Sequence, residues 1–178
     1  MTTTYQTLLS NAFLRSELDN EFQSFRGSGA ESELLDRLTK WANKAFQKET
    51  SAEAAFVGVF FEHTWGYTQS GKTAACEGYT CLAKYSVPGA GAGGGPGEAD
   101  AALGLFGRAN MTPTPQVLCE FKDVRSNLDG PQNRKGSNRS PVKQCADYLR
   151  ETMKPFYGNE AIQPTWGIVT DMNEFRLY

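Results

Sequence analysis

The chain has 178 residues, 39% of them hydrophobic, and carries 18 Lys and Arg against 20 Asp and Glu for a formal charge of −2. This suits one globular domain burying roughly 70% of its unfolded surface, and it excludes a global electrostatic pull toward nucleic acid, so any DNA contact must come from a local patch. No stretch is long and apolar enough to span a bilayer, and the polar N-terminus lacks the apolar core of a secretory leader; a cytoplasmic protein without a membrane partner is the expectation.

Tyr5, Leu8, Leu9, Ala12, Phe13, Phe22 and Phe25 recur near helical spacing up to Gly27-Ser28-Gly29. A second helix is predicted from about 31 to 47, with Leu34, Leu38, Trp41 and Ala45 along one stripe. Both read as scaffold, a helical extension (1–49) packed on a core domain (50–178). A third helix is predicted to start at Thr50, where Thr50-Ser51-Ala52-Glu53 has the form of a capping box, and to continue through Phe56, Val57, Val59 and Phe60. Capping alone accounts for Glu53 on this reading.

The stretch 66–73, Gly66-Tyr67-Thr68-Gln69-Ser70-Gly71-Lys72-Thr73, matches the phosphate-binding pattern G-x-x-x-x-G-K-[ST] letter for letter. The mechanism needs a buried strand entering the first glycine and a helix whose N-terminus receives the phosphates. Polar Glu62-His63-Thr64 precedes Gly66, and Gly78 interrupts the stretch after Thr73. The preferred reading is a helix exit and turn, with Trp65 and Tyr67 packing inward. Cys76, Cys81, Cys119 and Cys145 lack zinc-finger spacing, and His63 is the only histidine; reduced, buried thiols are expected.

A strand is predicted over 81–87. The run 89–97, almost all Gly and Ala, reads as a mobile loop. The apolar-rich segment 98–106 then carries one central acid, Asp100. A further strand over 116–123 alternates Val117, Cys119 and Phe121 with Leu118, Glu120 and Lys122. If the two segments pair as a hairpin across 107–115, Asp100 and Glu120 converge. Two convergent carboxylates offer the oxygen ligands and negative charge that Mg²⁺ selects, and a lysine beside such a cation can position or deprotonate a water. The bland alternative is a solvated Glu120–Lys122 pair on an edge strand.

The segment 125–139 is polar and basic, with Arg125, Arg134, Lys135 and Arg139 against Asp129. It reads either as a solvated loop or as a set of contacts to a DNA backbone. Ser140 caps the next helix with Pro141 at its first position. Gln144 and Tyr148 form an i, i+4 pair facing the sheet. A buried strand over 166–170 and a hairpin partner over 174–178 complete an α/β domain, a mixed sheet of about five strands flanked by helices with an N-terminal helical extension.

An acid, then acid-x-lysine at a strand end, then Gln-x-x-x-Tyr on the next helix resembles the PD-(D/E)XK nuclease superfamily. Leu128-Asp129-x-Pro131-Gln132, Ser140-Pro141-Val142-x-Gln144 and Phe175-Arg176-Leu177-Tyr178 resemble, more particularly, the N-terminal endonuclease domain of type IIG restriction-modification enzymes, single chains that join a nuclease to a DNA methyltransferase. The likeness covers the chain from about residue 50 onward. It departs from the superfamily at Ala99, where a proline usually precedes the acid. The resemblance implies a restriction-endonuclease-like fold and Mg²⁺-dependent hydrolysis of DNA phosphodiesters, with Mn²⁺ as a substitute. It places Asp100 and Glu120 as metal ligands, Glu53 as a further candidate on the first core helix, Lys122 as the residue orienting water, and Gln144 in or beside the active site. It implies double-stranded DNA as substrate, with a methyltransferase and specificity domain in the same chain or as a subunit; one site per domain implies dimerisation or two visits for double-strand cutting. Neither the glycine-rich S-adenosylmethionine motif nor an Asn-Pro-Pro-Tyr motif is present, so an excised nuclease domain or separate subunit is expected. Two other classes stay open: a nucleotide-binding enzyme depending on Lys72, and a DNA-binding module whose nuclease-like site is inactive.

Overall fold

In a computed structural model of the protein, which describes residues 10–44, 49–72, 77–132, 138–152 and 166–178, five strands pair in chain order. They are β1 (Tyr79–Val87), β2 (Gly97–Phe106), β3 (Thr114–Phe121), β4 (Trp166–Thr170) and β5 (Phe175–Leu177). The β1–β2, β2–β3 and β4–β5 pairs are antiparallel and the β3–β4 pair is parallel. The sheet is therefore mixed, as expected, and the expected hairpin across 107–115 is the β2–β3 pair. A parallel step needs a crossover, and helix α4 (Pro141–Thr152) lies between β3 and β4 in the chain.

β3 is a central strand, which removes the reading of Glu120 and Lys122 as an edge-strand surface pair. It is buried from Leu118 through Phe121. Leu118 joins Val87, Ala99, Ala102, Phe106 and Tyr148 in one core cluster. The Phe121 ring instead meets Phe56 and Phe61 edge-on, at 5.4 and 5.8 Å. Covered on both faces, the strand buries its polar positions along with its apolar ones.

Helix α3 (Glu49–Phe56) runs directly into a π-helix, Val57–Thr64. Aromatic rings follow one another along it: Phe56 meets Phe61, five residues on, at 5.8 Å, and Phe61 stacks on Trp65, four residues on, at 5.0 Å. Thr50 lies inside α3, so the expected capping box at Thr50 does not form. Trp65 stays 41% exposed despite its ring contacts, a correction to its expected inward packing. At α4, Ser140 Oγ accepts from Lys143 N at 3.1 Å, and Pro141, Cys145 and Tyr148 are buried.

The glycine-rich run is not a featureless linker. Gly91 N donates to Gly95 O at 2.8 Å around a 3₁₀ segment, Ala92–Gly94, and Ala90 is buried in the core.

Residues 1–45 form a separate compact unit from 46–178. Its described part holds α1 (Asn11–Phe25) and α2 (Gly29–Ala42), shorter than predicted; positions 5–9 and 45–47 lie outside the described residues. Ser10 and Ser28 cap the two helices. Gly27, in left-handed backbone at φ +75°, makes the corner between them, and its N–H donates to Glu31 at 2.6 Å. No helix among the described residues is long and apolar enough to cross a membrane.

The α4–β4 contact leaves no room at Gly167. A Cβ there would lie 2.5 Å from Cys145 Sγ and 3.1 Å from Leu149 Cδ1. Gly167→Ala is expected to cost about 1–3 kcal/mol by overpacking, read as a lowered urea midpoint. Adding Cys145→Ala in that background should restore more than half of the loss. Two independent, additive losses would show that the two side chains do not compete for one space.

Candidate metal and active site

The two strands that carry the expected acids pair with each other. Ala101 pairs with Cys119, and one step further along the same register Asp100 stands opposite Glu120. Asp100 Oδ2 accepts from Phe121 N at 2.7 Å, which fixes the carboxylate against β3. Glu120 is 1% exposed, and its Oε1 accepts a hydrogen bond from Lys122 Nζ. The same ammonium donates to Phe121 O at 2.6 Å. The backbone of Lys122 is held from the neighbouring strand, its N–H donating to Thr170 O at 2.9 Å. Asp100, Glu120 and Lys122 thus form one cluster on adjacent strands.

A further lysine joins them that the sequence did not single out. Lys84 Nζ donates to Asp100 Oδ1 at 2.8 Å and lies 3.2 Å from Glu53 Oε1. Glu53 is therefore drawn to the cluster through Lys84 and does not cap α3. Lys84 sits between the Ala83–Ala101 and Tyr85–Ala99 pairs, in step with Asp100, yet its φ is +56°. A lysine in left-handed backbone costs on the order of 1–3 kcal/mol. Burial disfavours its charge, but the hydrogen bond and charge of Asp100, reinforced by Glu53, outweigh that and raise its pKa.

Gln144 is fixed beside the site by the predicted helical pair. Its Nε2 donates to Tyr148 Oη at 2.6 Å, and Tyr148 Oη donates to Glu98 O at 2.8 Å, two residues before Asp100. Gly97 is needed under that ring, since a Cβ there would come within 2.9 Å of Tyr148 Cε1.

The basic loop is only partly placed. Arg125 is exposed in the turn after β3, at φ +64°. Arg139 is half-buried and donates to Asp147 Oδ2 at 3.1 Å and Ala90 O at 3.5 Å, contacts that hold the start of α4. Arg134 and Lys135 lie outside the described residues. The resembling pieces around Asp129 and Arg176 do meet: Arg176 Nη1 donates to Asp129 Oδ2 at 2.7 Å, while Leu128 is buried with Cys145 and Val169. Asp171 is occupied in the β4–β5 turn, its Oδ1 accepting from Asn173 N and Glu174 N.

Among the described residues the phosphate-loop pattern lacks its fold context. A π-helix precedes Gly66, and the next described element after Lys72 is β1. Lys72 Nζ donates to Glu62 Oε2 at 2.6 Å; desolvation opposes the Glu62 charge, but the hydrogen bonds from Lys72 and Gln69 and the Lys72 charge together outweigh it and lower the Glu62 pKa. Thr73 and Cys76 lie outside the described residues. Cys81, Cys119 and Cys145 are buried free thiols, and burial pushes all three pKa values up, Cys81 to about 11 and Cys145 to about 12, so they are poor nucleophiles at neutral pH.

Among the described residues no group of three or more His, Cys, Asp or Glu forms a ready-made metal cage. The donor set nevertheless fits Mg²⁺, which takes one or two carboxylates and completes its shell with water and substrate phosphate oxygens. Asp100 and Glu120 Oε1 are held as acceptors by Lys84, Phe121 N and Lys122. Comparison with protein-family models, with curated proteins and with solved structures finds no match for this chain.

Burial, reinforced by the charge of Glu120, raises the Tyr148 phenol from 10.0 to about 12. The folded state then holds that proton more tightly than the unfolded chain. Its contribution to stability is complete below pH 10 and is lost as pH rises to about 12. Tyr148→Phe should remove this part of the alkaline loss in urea titrations from pH 9 to about 12, and its difference spectrum at the phenolate band should show one late-titrating tyrosine missing. An unchanged alkaline profile would place the phenol in water.

Proposed function

We propose that this chain is a metal-dependent DNA endonuclease domain of the restriction-endonuclease-like kind, the cleavage module of a restriction-modification enzyme. The observation that carries the reading is the placement of Asp100 and Glu120 opposite each other on β2 and β3, with Lys122 two residues on and fixed against Glu120. Asp100 and Glu120 would hold Mg²⁺ or Mn²⁺, which when bound supplies charge stabilisation to the scissile phosphate. Lys122 holds the attacking water and offsets negative charge as the phosphorane forms. Gln144, locked by Tyr148, orients groups at the rim. Exposed Arg125, together with Arg134 and Lys135, contacts the phosphates of the duplex. A methyltransferase and specificity domain would supply site recognition.

The test is incubation with duplex DNA and Mg²⁺ or Mn²⁺ beside calorimetric Mn²⁺ titration. Asp100→Ala and Glu120→Ala should each abolish Mn²⁺ binding and cutting, because a site with few protein ligands loses a charged one. Lys122→Ala should keep DNA affinity while slowing single-turnover cleavage ~10²- to 10⁴-fold. Identical titrations for wild type and both acid variants would end the metal-site reading. Cleavage by Lys122→Ala at the wild-type rate would make Lys122 a structural partner of Glu120 alone.

The nucleotide-binding alternative predicts otherwise. With Lys72 paired to Glu62, ATP affinity should be no tighter than about millimolar and unchanged in Lys72→Ala. Micromolar binding lost in that variant would move the function to the 66–73 loop.

A further inference from the structure

Lys84 has no role in the chemistry proposed above, yet it touches the acid on which that chemistry depends. Asp100 has two oxygens. Oδ2 is turned into the sheet by Phe121 N, which leaves Oδ1 as the oxygen open to a cation, and Lys84 Nζ sits on it at 2.8 Å. The same ammonium reaches Glu53 Oε1 at 3.2 Å, so one positive charge joins two carboxylates from two elements.

We propose that Lys84 is a built-in counter-cation: in the metal-free protein its ammonium takes the cation position between Glu53 and Asp100, and it withdraws when a divalent cation enters. This rests on the metal-dependent reading of the same carboxylates. Three features carry it. A divalent ion ligated by Oδ1 would lie about 2 Å from that oxygen, too close to an ammonium on the same atom for both positive charges to stay. The two lysines of the cluster also differ in freedom. The Lys84 side chain is 45% exposed and can swing into solvent, whereas that of Lys122 is 5% exposed and is held on two sides. The charges then balance. With Lys84 withdrawn, Glu53, Asp100 and Glu120 against Lys122 leave two negative charges, the complement of one divalent ion.

The experiment is calorimetric Mn²⁺ titration of the full chain, with thermal melting in EDTA and in Mn²⁺, for wild type, Lys84→Met, Lys84→Gly and Lys84→Arg. Lys84→Met keeps the stem without the charge; Lys84→Gly also relaxes the left-handed backbone, so a folded uncharged variant is available. Removing a competing charge at this range should tighten Mn²⁺ binding about 10-fold in both, with a larger rise in melting temperature on adding Mn²⁺. Lys84→Arg should stay within about twofold of wild type, since it keeps the competing charge. Unchanged or weaker Mn²⁺ binding in Lys84→Met and Lys84→Gly would overturn the counter-cation. If wild type still binds Mn²⁺ and Asp100→Ala does not, the metal site itself survives that result. Absence of Mn²⁺ binding in every protein would overturn both readings together, and binding seen only after Lys84 is neutralised would support both.

Discussion

The cluster depends on the burial of opposite charges at the end of a central strand. Glu120 and Lys122 are 1% and 4% exposed, and removing two such charges from water costs several kcal/mol for each ion before their attraction is counted. Apolar residues of similar volume often do as well or better for stability. Packing alone therefore gives no reason for acid-x-lysine at this place, whereas the reaction proposed above, which uses both charges, would. The surroundings make the burial tolerable: Phe121 O and Thr170 O take the donors of Lys122, and the Phe121 amide between the two charged residues is taken by Asp100.

Much of the sheet could be read from the sequence. Alternation marked β3, the stretch 107–115 marked a turn, and together they gave the antiparallel pair that brings the acids together. Ser140-Pro141 marked the start of α4 because the cap and the missing proline N–H act within four residues. Local rules worked where the cause was local. They failed where the cause lay elsewhere in the chain. Glu53 looked like a cap because Thr50 stood three residues before it, but α3 begins earlier and Glu53 answers to Lys84. Lys84 lay inside a predicted strand with no role assigned to it. Its partners lie 16 and 31 residues away, and nothing in its neighbours announces a left-handed backbone. The signal that was available is register: pairing Val87 with Gly97 sets Lys84 against Asp100.

Composition misled in two other places. Glycine-rich 89–97 suggested slack chain, yet small residues are what let Ala90 enter the core and Gly97 pass beneath Tyr148. The stretch 66–73 satisfied a pattern of letters, but among the described residues no strand enters it and no helix leaves it. Its lysine is spent on Glu62, and its glycines, at φ +77° and +83°, sit in turns after the π-helix.

The order of the strands also orders their assembly. β1, β2 and β3 succeed one another and close short loops as they pair. β4 joins β3 in parallel, Val117 against Trp166, across a much longer stretch that contains α4. Closing that stretch costs more entropy, and non-local pairing of this kind is slow. The meander with Asp100 and Glu120 is thus placed to condense first, and Thr170, whose carbonyl takes the Lys122 amide, arrives with the late strand. The acids meet before the backbone of Lys122 is fixed. A chain caught between these events would already hold its carboxylates and the Lys122 ammonium together on β3 while the Lys122 amide still lacked its partner on β4, so the charges would be gathered, during synthesis and refolding, before the frame around them closed.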